Sequence, residues 1–174
     1  MTLSRAELER IDKFFHPHSV AVVGASADPA KFSHQIVKNL KTLNFPGRVY
    51  PINPRAPEVL GFKAFPTVGD VPGEVQTAVV AVPSRAVPSV MEDCRDKGIK
   101  SIIIVASGFD EAGPEGRAHQ REVLKIARNG GMRVVGPNTT GILNPSYGFT
   151  STFVPLYAVK AGDVSFISQT GMFA

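Results

Sequence analysis

Short runs of apolar, largely β-branched residues alternate along the chain with segments whose apolar residues recur every three or four positions. The continuous runs predict buried parallel strands at 19–24, 48–52, 77–82, 101–106 and 132–135. The periodic segments predict helices at 33–43, at 88–97, and from 114 to the glycine pair at 130–131. This alternation predicts an α/β fold, a Rossmann-like parallel sheet with helices on both faces, right-handed crossovers and strand order 3-2-1-4-5.

A short helix is predicted before the first strand. Ser4 and Glu7 have the spacing of a capping box, in which each side chain bonds the other residue's backbone N–H. Leu8, Ile11 and Phe15 would form the apolar stripe of this helix. We therefore expect it to brace the sheet.

Weaker patterns lie between and after the main strands. They predict a small hairpin near 59–65, a short strand near 149–154, a sixth strand at 162–168 and a turn at 169–171. The expected division is an N-terminal helix at 1–18, a Rossmann-like domain at 19–145, and a connector with the first strand of a truncated second domain at 146–174.

The composition is that of an ordinary globular domain, with 174 residues, 43% apolar and 20% charged. The net charge of +4 is spread without a Lys/Arg block, which favours a small polyanionic ligand or a merely solvated surface over nucleic acid. Cys94 is the single cysteine and falls on the inner face of a predicted helix, so we expect a core thiol and no disulfide. No signal peptide or membrane-length apolar run is present, which predicts a cytoplasmic protein.

The turn after the first strand is the main candidate for ligand chemistry. Gly24 ends a buried strand and precedes a helix, an arrangement that binds phosphate through free N–H groups and the helix dipole. The turn has one glycine where the dinucleotide fingerprint needs three, and the second strand ends in Asn53-Pro54-Arg55 without the acid that holds a ribose. Arg55 would suit a ligand with a phosphate near its ribose. Taken alone, Gly24 fits a plain strand-to-helix turn equally well.

Turn-forming or small polar residues follow every predicted strand. In an open parallel sheet, ligands bind beyond the carboxyl ends of the strands. We call the five segments found there the carboxyl rim: Gly24-Ala25-Ser26, Asn53-Pro54-Arg55, Val82-Pro83-Ser84, Ser107-Gly108-Phe109 and Gly136-Pro137-Asn138. Each is explained singly by turn chemistry, but their convergence predicts a ligand crevice.

The carboxyl rim lacks the usual parts of a catalyst. The sequence has no Cys-x-x-Cys pair, no metal-binding His-Glu helix pattern and no serine nucleophile elbow. The four histidines, none at a strand end, are His16, His18, His34 and His119. His34 begins a predicted helix and could reach a phosphate, although a helix-start polar residue is the simpler interpretation. We therefore predict a binding site with no catalytic residue and no metal ligand.

Nine short motifs then occur in one order. They are Val22-Val23-Gly24-Ala25-Ser26, Asn39-Leu40, Val49-Tyr50-Pro51-Ile52-Asn53-Pro54, Asp70-Val71-Pro72, Ala81-Val82-Pro83, Gly98, Ser107-Gly108-Phe109-Asp110-Glu111-Ala112-Gly113, Gly136-Pro137-Asn138-Thr139-Thr140-Gly141 and Ile167-Ser168-Gln169-Thr170-Gly171. From about residue 12 onward, the chain resembles the CoA-binding domain of NDP-forming acyl-CoA synthetases, the superfamily of ADP-forming acetyl-CoA synthetase and the succinyl-CoA synthetase α subunit.

The resemblance implies that the carboxyl rim binds coenzyme A or an acyl-CoA. The implied contacts run from phosphates to thiol: Gly24, Ala25 and Ser26 at the phosphates, Asn53, Pro54 and Arg55 at the adenosine end, Val82 and Pro83 against the nucleotide, Ser107 and Gly108 along the pantetheine, and Pro137 and Asn138 near the thiol. The family makes acyl-CoA from an acid, CoA and a nucleoside triphosphate through an acyl phosphate and a phosphohistidine.

One feature of the family is not matched. Its phosphorylated histidine lies in a second domain, downstream of a segment like Ser168-Gln169-Thr170-Gly171, and no histidine here corresponds to it. The expectation is a CoA-binding part of a larger or split ligase, inactive alone, that works with further domains or a companion subunit. The alternatives are a stand-alone CoA-binding or regulatory protein, part of a protein acetyltransferase, or an NAD(P)-dependent oxidoreductase domain. A homo-oligomer is left open.

Overall fold

The computed structural model describes residues 3–157 and 159–169. Its helices are α1 (Arg5–Asp12), α2 (Phe32–Thr42), α3 (Val87–Asp96) and α4 (Pro114–Gly130). Its strands are β1 (Ser19–Val23), β2 (Arg48–Ile52), β3 (Glu58–Val59), β4 (Phe62–Lys63), β5 (Thr77–Val80), β6 (Ser101–Ile104), β7 (Arg133–Val135), β8 (Leu143–Asn144) and β9 (Phe149–Thr150). The predicted α/β fold is confirmed, and the main elements lie within a few residues of their predicted bounds.

The main sheet is parallel and has the order β2-β1-β5-β6-β7. Numbered by the five predicted strands, this order is 2-1-3-4-5, so the predicted order 3-2-1-4-5 is wrong. The observed order is the other common arrangement of doubly wound sheets, and it also has a switch point beside the first strand.

Pro51 explains why β2 lies at the edge of the sheet. The Pro51 carbonyl accepts a hydrogen bond of 2.9 Å from the backbone N–H of Phe65, on the side away from β1. The N–H and carbonyl of one strand residue point to the same side, so the N–H that proline lacks would also face outward. Proline is tolerated on an edge strand but removes a ladder bond from a central one. The β5 strand therefore takes the central place beside β1.

Alternate residues of β1 enter two separate apolar layers. Ala21 and Val23 pack with α3 and α4, in a layer that includes Met91. Val20 and Val22 pack on the opposite face with α2. Burial of both faces accounts for strands that are apolar throughout, as the sequence pattern indicates.

Cys94 belongs to the core, as predicted. The Cys94 side chain is fully buried in the layer formed by α3 and α4. Burial, with a smaller contribution from the nearby Asp93 carboxylate, raises the pKa of the Cys94 thiol to about 12. The thiol is therefore protonated at neutral pH and has a packing role.

The α1 helix has the predicted capping box, since Ser4 and Glu7 bond reciprocally. Its predicted apolar stripe is partly wrong. The helix ends at Asp12, so the helical period does not extend to Phe15, which is 40% exposed, whereas Phe14 is buried. Leu8 is also exposed.

The sixth strand predicted at 162–168 is not formed. These residues form no regular element, and those from 162 to 167 are exposed, with Val164 91% and Ile167 95% accessible. A strand needs a hydrogen-bonding neighbour, and no other strand of the described chain pairs with this segment. The turn predicted at 169–171 extends outside the described residues. Within those residues, none of the helices has the length and apolar character needed to cross a membrane.

Candidate functional site

A cavity of about 220 Å³ opens at the carboxyl rim, beside the ends of β1, β2 and β5. We call it the rim cavity, and its lining residues are Val23, Gly24, Ile52, Asn53, Pro54, Pro66, Thr67, Val68, Val82, Val90 and Asp93. Its walls are largely aliphatic, with a few polar groups. Such a lining suits an apolar, flat or extended part of a ligand.

Both the backbone conformation at position 24 and the close packing around it require a glycine. The φ of Gly24, +86°, is left-handed, and its N–H donates to the Ile52 carbonyl over 3.0 Å. A Cβ at this position would lie 2.7 Å from Cγ1 of Val82 and 2.8 Å from the Ala81 carbonyl oxygen. The turn after β1 therefore packs directly on the segment after β5.

Asn53 ties the end of β2 to the same turn. Its side-chain Nδ2 donates to the Ala25 carbonyl over 2.7 Å, and its Oδ1 accepts from the backbone N–H groups of Arg55 and Ala56. These bonds form an Asx turn that places Arg55 at the rim. The Arg55 side chain is exposed, and no carboxylate of the described chain lies within ion-pair distance of it. Its positive charge is available to a ligand.

The start of α2 is open to an anion. Its N-cap is Lys31, no side chain caps the first turn, and that turn carries no acid. The buried His34 bonds the Ser26 carbonyl through Nδ1 over 2.9 Å, and since a carbonyl only accepts, Nδ1 carries the proton. His34 thus holds the turn from within. Sequence reasoning missed Lys31, although the absence of a capping side chain before the helix was a signal.

Ser107 and Gly108 follow β6 and lie beside the turn after β5. Gly108 has a φ of +94°, and a Cβ there would lie 2.9 Å from Oγ of Ser84. The Gly108 N–H donates to Oε1 of Glu111 over 2.7 Å. Desolvation by itself would raise the pKa of Glu111, but the hydrogen bonds from backbone N–H groups together have the larger effect. The pKa of Glu111 is therefore lowered. Glu111 is thus an ionised acceptor that orders this loop.

The turn after β7 reaches back to the end of β6. Gly136 has a φ of +95° and is followed by a cis peptide bond to Pro137. Asn138 has a φ of +53°, and its N–H donates to the Ala106 carbonyl over 2.9 Å. Pro137 and Asn138 therefore lie beside the loop that begins at Ser107.

The predicted site residues share one edge of the sheet, but they do not all line the rim cavity. Gly24, Asn53, Pro54 and Val82 line it. The other predicted residues lie along the carboxyl rim outside the cavity lining: Ala25, Ser26, Arg55, Pro83, Ser107, Gly108, Pro137 and Asn138. The rim therefore offers one cavity and a longer track past the ends of β5, β6 and β7.

Two walls of the rim cavity were not predicted. Pro66, Thr67 and Val68 come from the connection between β4 and β5, whose path the sequence does not reveal. Val90 and Asp93 come from α3, where a separation of three residues puts them on one helix face. Burial, followed by the neighbouring acids Asp96 and Glu92, raises the pKa of Asp93.

Comparison with known proteins supports the same region. A family model described as a CoA binding domain matches residues 18–145. The acetate–CoA ligase [ADP-forming] II of Archaeoglobus fulgidus is 47% identical over 91% of this chain and 24% of its own length. The α subunit of the corresponding Pyrococcus furiosus ligase is 43% identical over 92% of this chain and 35% of its own.

Comparison with solved structures shows a closely similar fold. The dinucleotide-forming acetyl-coenzyme A synthetase 1 of Ca. Korarchaeum cryptofilum, in complex with phosphate and ADP, superposes with a TM-score of 0.88 at 44% identity. The match covers 94% of this chain and 34% of that one. The chain thus spans about a quarter to a third of the length of these relatives.

Proposed function

The chain belongs to the CoA-binding domain family, and we propose that it binds coenzyme A as the N-terminal part of an NDP-forming acyl-CoA synthetase. The observation that carries the proposal is the coincidence of two independent features. The family match at 18–145 includes every segment of the carboxyl rim, and that rim presents an uncapped helix start and an unpaired cation beside an apolar cavity. These features suit a ligand that combines phosphates with a base and a long neutral arm.

The ligand would run along the carboxyl rim. Its phosphates would lie at Gly24, Ala25, Ser26 and the start of α2, with Lys31 as an added cation. Its adenosine end would lie in the rim cavity, near Asn53, Pro54 and Arg55, and against Val82 and Pro83. Its pantetheine would pass Ser107 and Gly108, and its thiol would end near Pro137 and Asn138. In the sheet order β2-β1-β5-β6-β7, the adenosine end would span the ends of β2 and β5 on either side of the phosphates at β1, and the pantetheine and thiol would then continue past β6 and β7.

Acyl-CoA formation itself would require more than the described domain. The relatives with ligase activity in their names are about three to four times longer than the region they share with this chain. Among the described histidines, His34 is committed to the Ser26 carbonyl through Nδ1, and the others lie away from the rim cavity lining. We therefore propose that further domains or a companion subunit complete the ligase, and that these 174 residues alone form no acyl-CoA.

The first test is calorimetric titration of the chain with CoA, with NAD and NADP in parallel. We expect saturable binding of CoA and none of the nicotinamide cofactors, because the turn at Gly24 lacks the dinucleotide fingerprint and β2 ends without a ribose-binding acid. Binding of NAD or NADP in place of CoA would contradict the proposal. So would the absence of CoA binding by a chain whose thermal unfolding shows it to be folded.

The Arg55→Ala variant is expected to weaken CoA binding about tenfold, while binding of dephospho-CoA changes less than twofold. The reason is that Arg55 lacks a carboxylate partner and would pair with the 3′-phosphate, which only CoA carries. The measurement is the Kd for both ligands at two salt concentrations, since an exposed charge pair weakens with salt. Arg48→Ala, at the opposite end of β2, is the matched control. An equal loss for both ligands would refute this role of Arg55.

A further inference from the structure

Asp93 stands apart among the residues of the rim cavity. It is the single ionisable side chain among the described residues that line it. It lies one helical turn after Val90, on the wall formed by α3, and faces a lining that is otherwise aliphatic or neutral. Its side chain is also open to solvent, so its acceptor oxygens are accessible to a ligand that enters the cavity.

The cations near Asp93 are already engaged by other groups. Arg95 donates to Asp96 over 2.8 Å and lies 4.0 Å from Glu92. Lys97, one turn further along the helix, donates to the carbonyls of Val71 and Gly69. No ion pair or hydrogen bond therefore neutralises the Asp93 carboxylate within the described chain. The pKa of Asp93 is raised, first by partial desolvation and then by the neighbouring carboxylates of Asp96 and Glu92.

We propose that Asp93 accepts a hydrogen bond from the exocyclic amino group of an adenine base in the rim cavity, and so makes the site selective for adenine nucleotides. This inference rests on the proposed binding of coenzyme A. An ionised carboxylate has acceptors and no donor, so it recognises an N–H or O–H group. The aliphatic walls contributed by Val23, Val82 and Val90 suit the faces of a flat base.

Electrostatic repulsion favours the adenine amino group over the ribose hydroxyls as the donor to Asp93. A carboxylate beside the ribose hydroxyls would face the 3′-phosphate and be repelled by it. The amino group lies at the far edge of the base, where no phosphate is adjacent. Asp93 would therefore orient the ligand in two ways. It would bind the amino edge of the base, and it would repel the phosphates toward Arg55 and the start of α2.

The test compares CoA with 1,N6-etheno-CoA, in which the amino nitrogen is closed into a ring and cannot donate. We expect the unmodified chain to bind CoA about tenfold more tightly than the etheno analogue. Asp93→Ala should lose about that factor for CoA and bind both ligands equally. Asp93→Asn keeps an acceptor oxygen and should lose less. Glu92→Ala is the matched control, since Glu92 is exposed on the same helix outside the cavity lining.

The outcomes separate this inference from the function on which it rests. If a folded chain fails to bind CoA, the proposed function is refuted. If CoA binds but the etheno analogue binds equally well, only the role of Asp93 is overturned. The same conclusion follows if Asp93→Ala weakens both ligands by one factor, because the contact is then not with the amino group. Thermal unfolding of each variant verifies that the exposed substitution leaves the fold intact.

Discussion

Replacing Gly24 by alanine is expected to lower the free energy of unfolding by about 2–5 kcal/mol and to abolish tight CoA binding. About 1–2 kcal/mol comes from placing an L-residue in a left-handed conformation. A further contribution of roughly 1–3 kcal/mol comes from overpacking, because the new Cβ would lie 2.8 Å from the Ala81 carbonyl oxygen. A backbone atom cannot move aside as a side chain can, so the turn itself must shift.

The control for this prediction is Gly73→Ala. Gly73 also has a positive φ, +79°, but nothing lies within 4 Å of its would-be Cβ. That variant should lose only the conformational part, about 1–2 kcal/mol, and keep its affinity for CoA. Urea unfolding gives the stabilities, and titration of the folded variants at low temperature gives the affinities. Equal losses of stability in the two variants would show that the packing of Gly24 on Ala81 is unimportant.

A second large effect is expected at Asn39, in the middle of α2. The Asn39 side chain is fully buried, and its Nδ2 donates to the carbonyls of Thr152 and Val154, both over 2.8 Å. Its Oδ1 accepts from the Leu156 N–H and from Gln35. One amide thus holds the whole segment 152–156 against α2. The sequence singles out Asn39 by resemblance alone, and the contacts supply the physical reason.

Asn39→Leu should destabilise the chain by about 2–4 kcal/mol, since each buried carbonyl left unpaired costs about 1–3 kcal/mol. Asn39→Asp is the sharper variant, because it preserves shape but places a second oxygen against the Thr152 and Val154 carbonyls. We expect it to be at least as damaging. Hydrogen exchange should accelerate at 152–156 in both variants, and proteolysis should cut there first.

Gln35→Ala is the control for Asn39. It removes one bond to Oδ1 and leaves the three contacts between Asn39 and the segment 152–156 intact. Its unfolding free energy should change by less than about 1 kcal/mol, with hydrogen exchange at 152–156 unaltered. Protection of that segment in Asn39→Asp would contradict the assigned role.

The strand positions were predictable because each depends on local sequence. A strand buried on both faces is apolar throughout, and β1, β5 and β6 are completely buried. The order of strands was predicted wrongly, because it depends on which strand tolerates a missing N–H donor along its outer edge. Pro51 carried that information, but only the hydrogen bond from Phe65 shows which side of β2 its missing N–H faces.

The residues of the candidate site were likewise predictable from the sequence only in part. The rule that ligands bind at strand carboxyl ends places Gly24, Asn53 and Val82 at one edge of the sheet from the sequence alone. The rule did not predict Pro66, Thr67 or Asp93. Pro66 and Thr67 line the rim cavity because of the path of the connection between β4 and β5, and Asp93 lines it because of the rotation of α3 about its axis. The same limit explains the segment 162–168, whose β-prone sequence is a strand only where another strand pairs with it.

The sequence by itself determined the α/β class, the elements, the glycine turn and the carboxyl rim, because apolar periodicity and turn chemistry act over a few residues. The tertiary structure alone decided the strand order, the clamp at Asn39 and the isolated carboxylate of Asp93. These depend on groups far apart in the chain, as Asn39 and Thr152 are, and on whether a neighbouring cation such as Lys97 has already found another partner. Local patterns do not encode that competition.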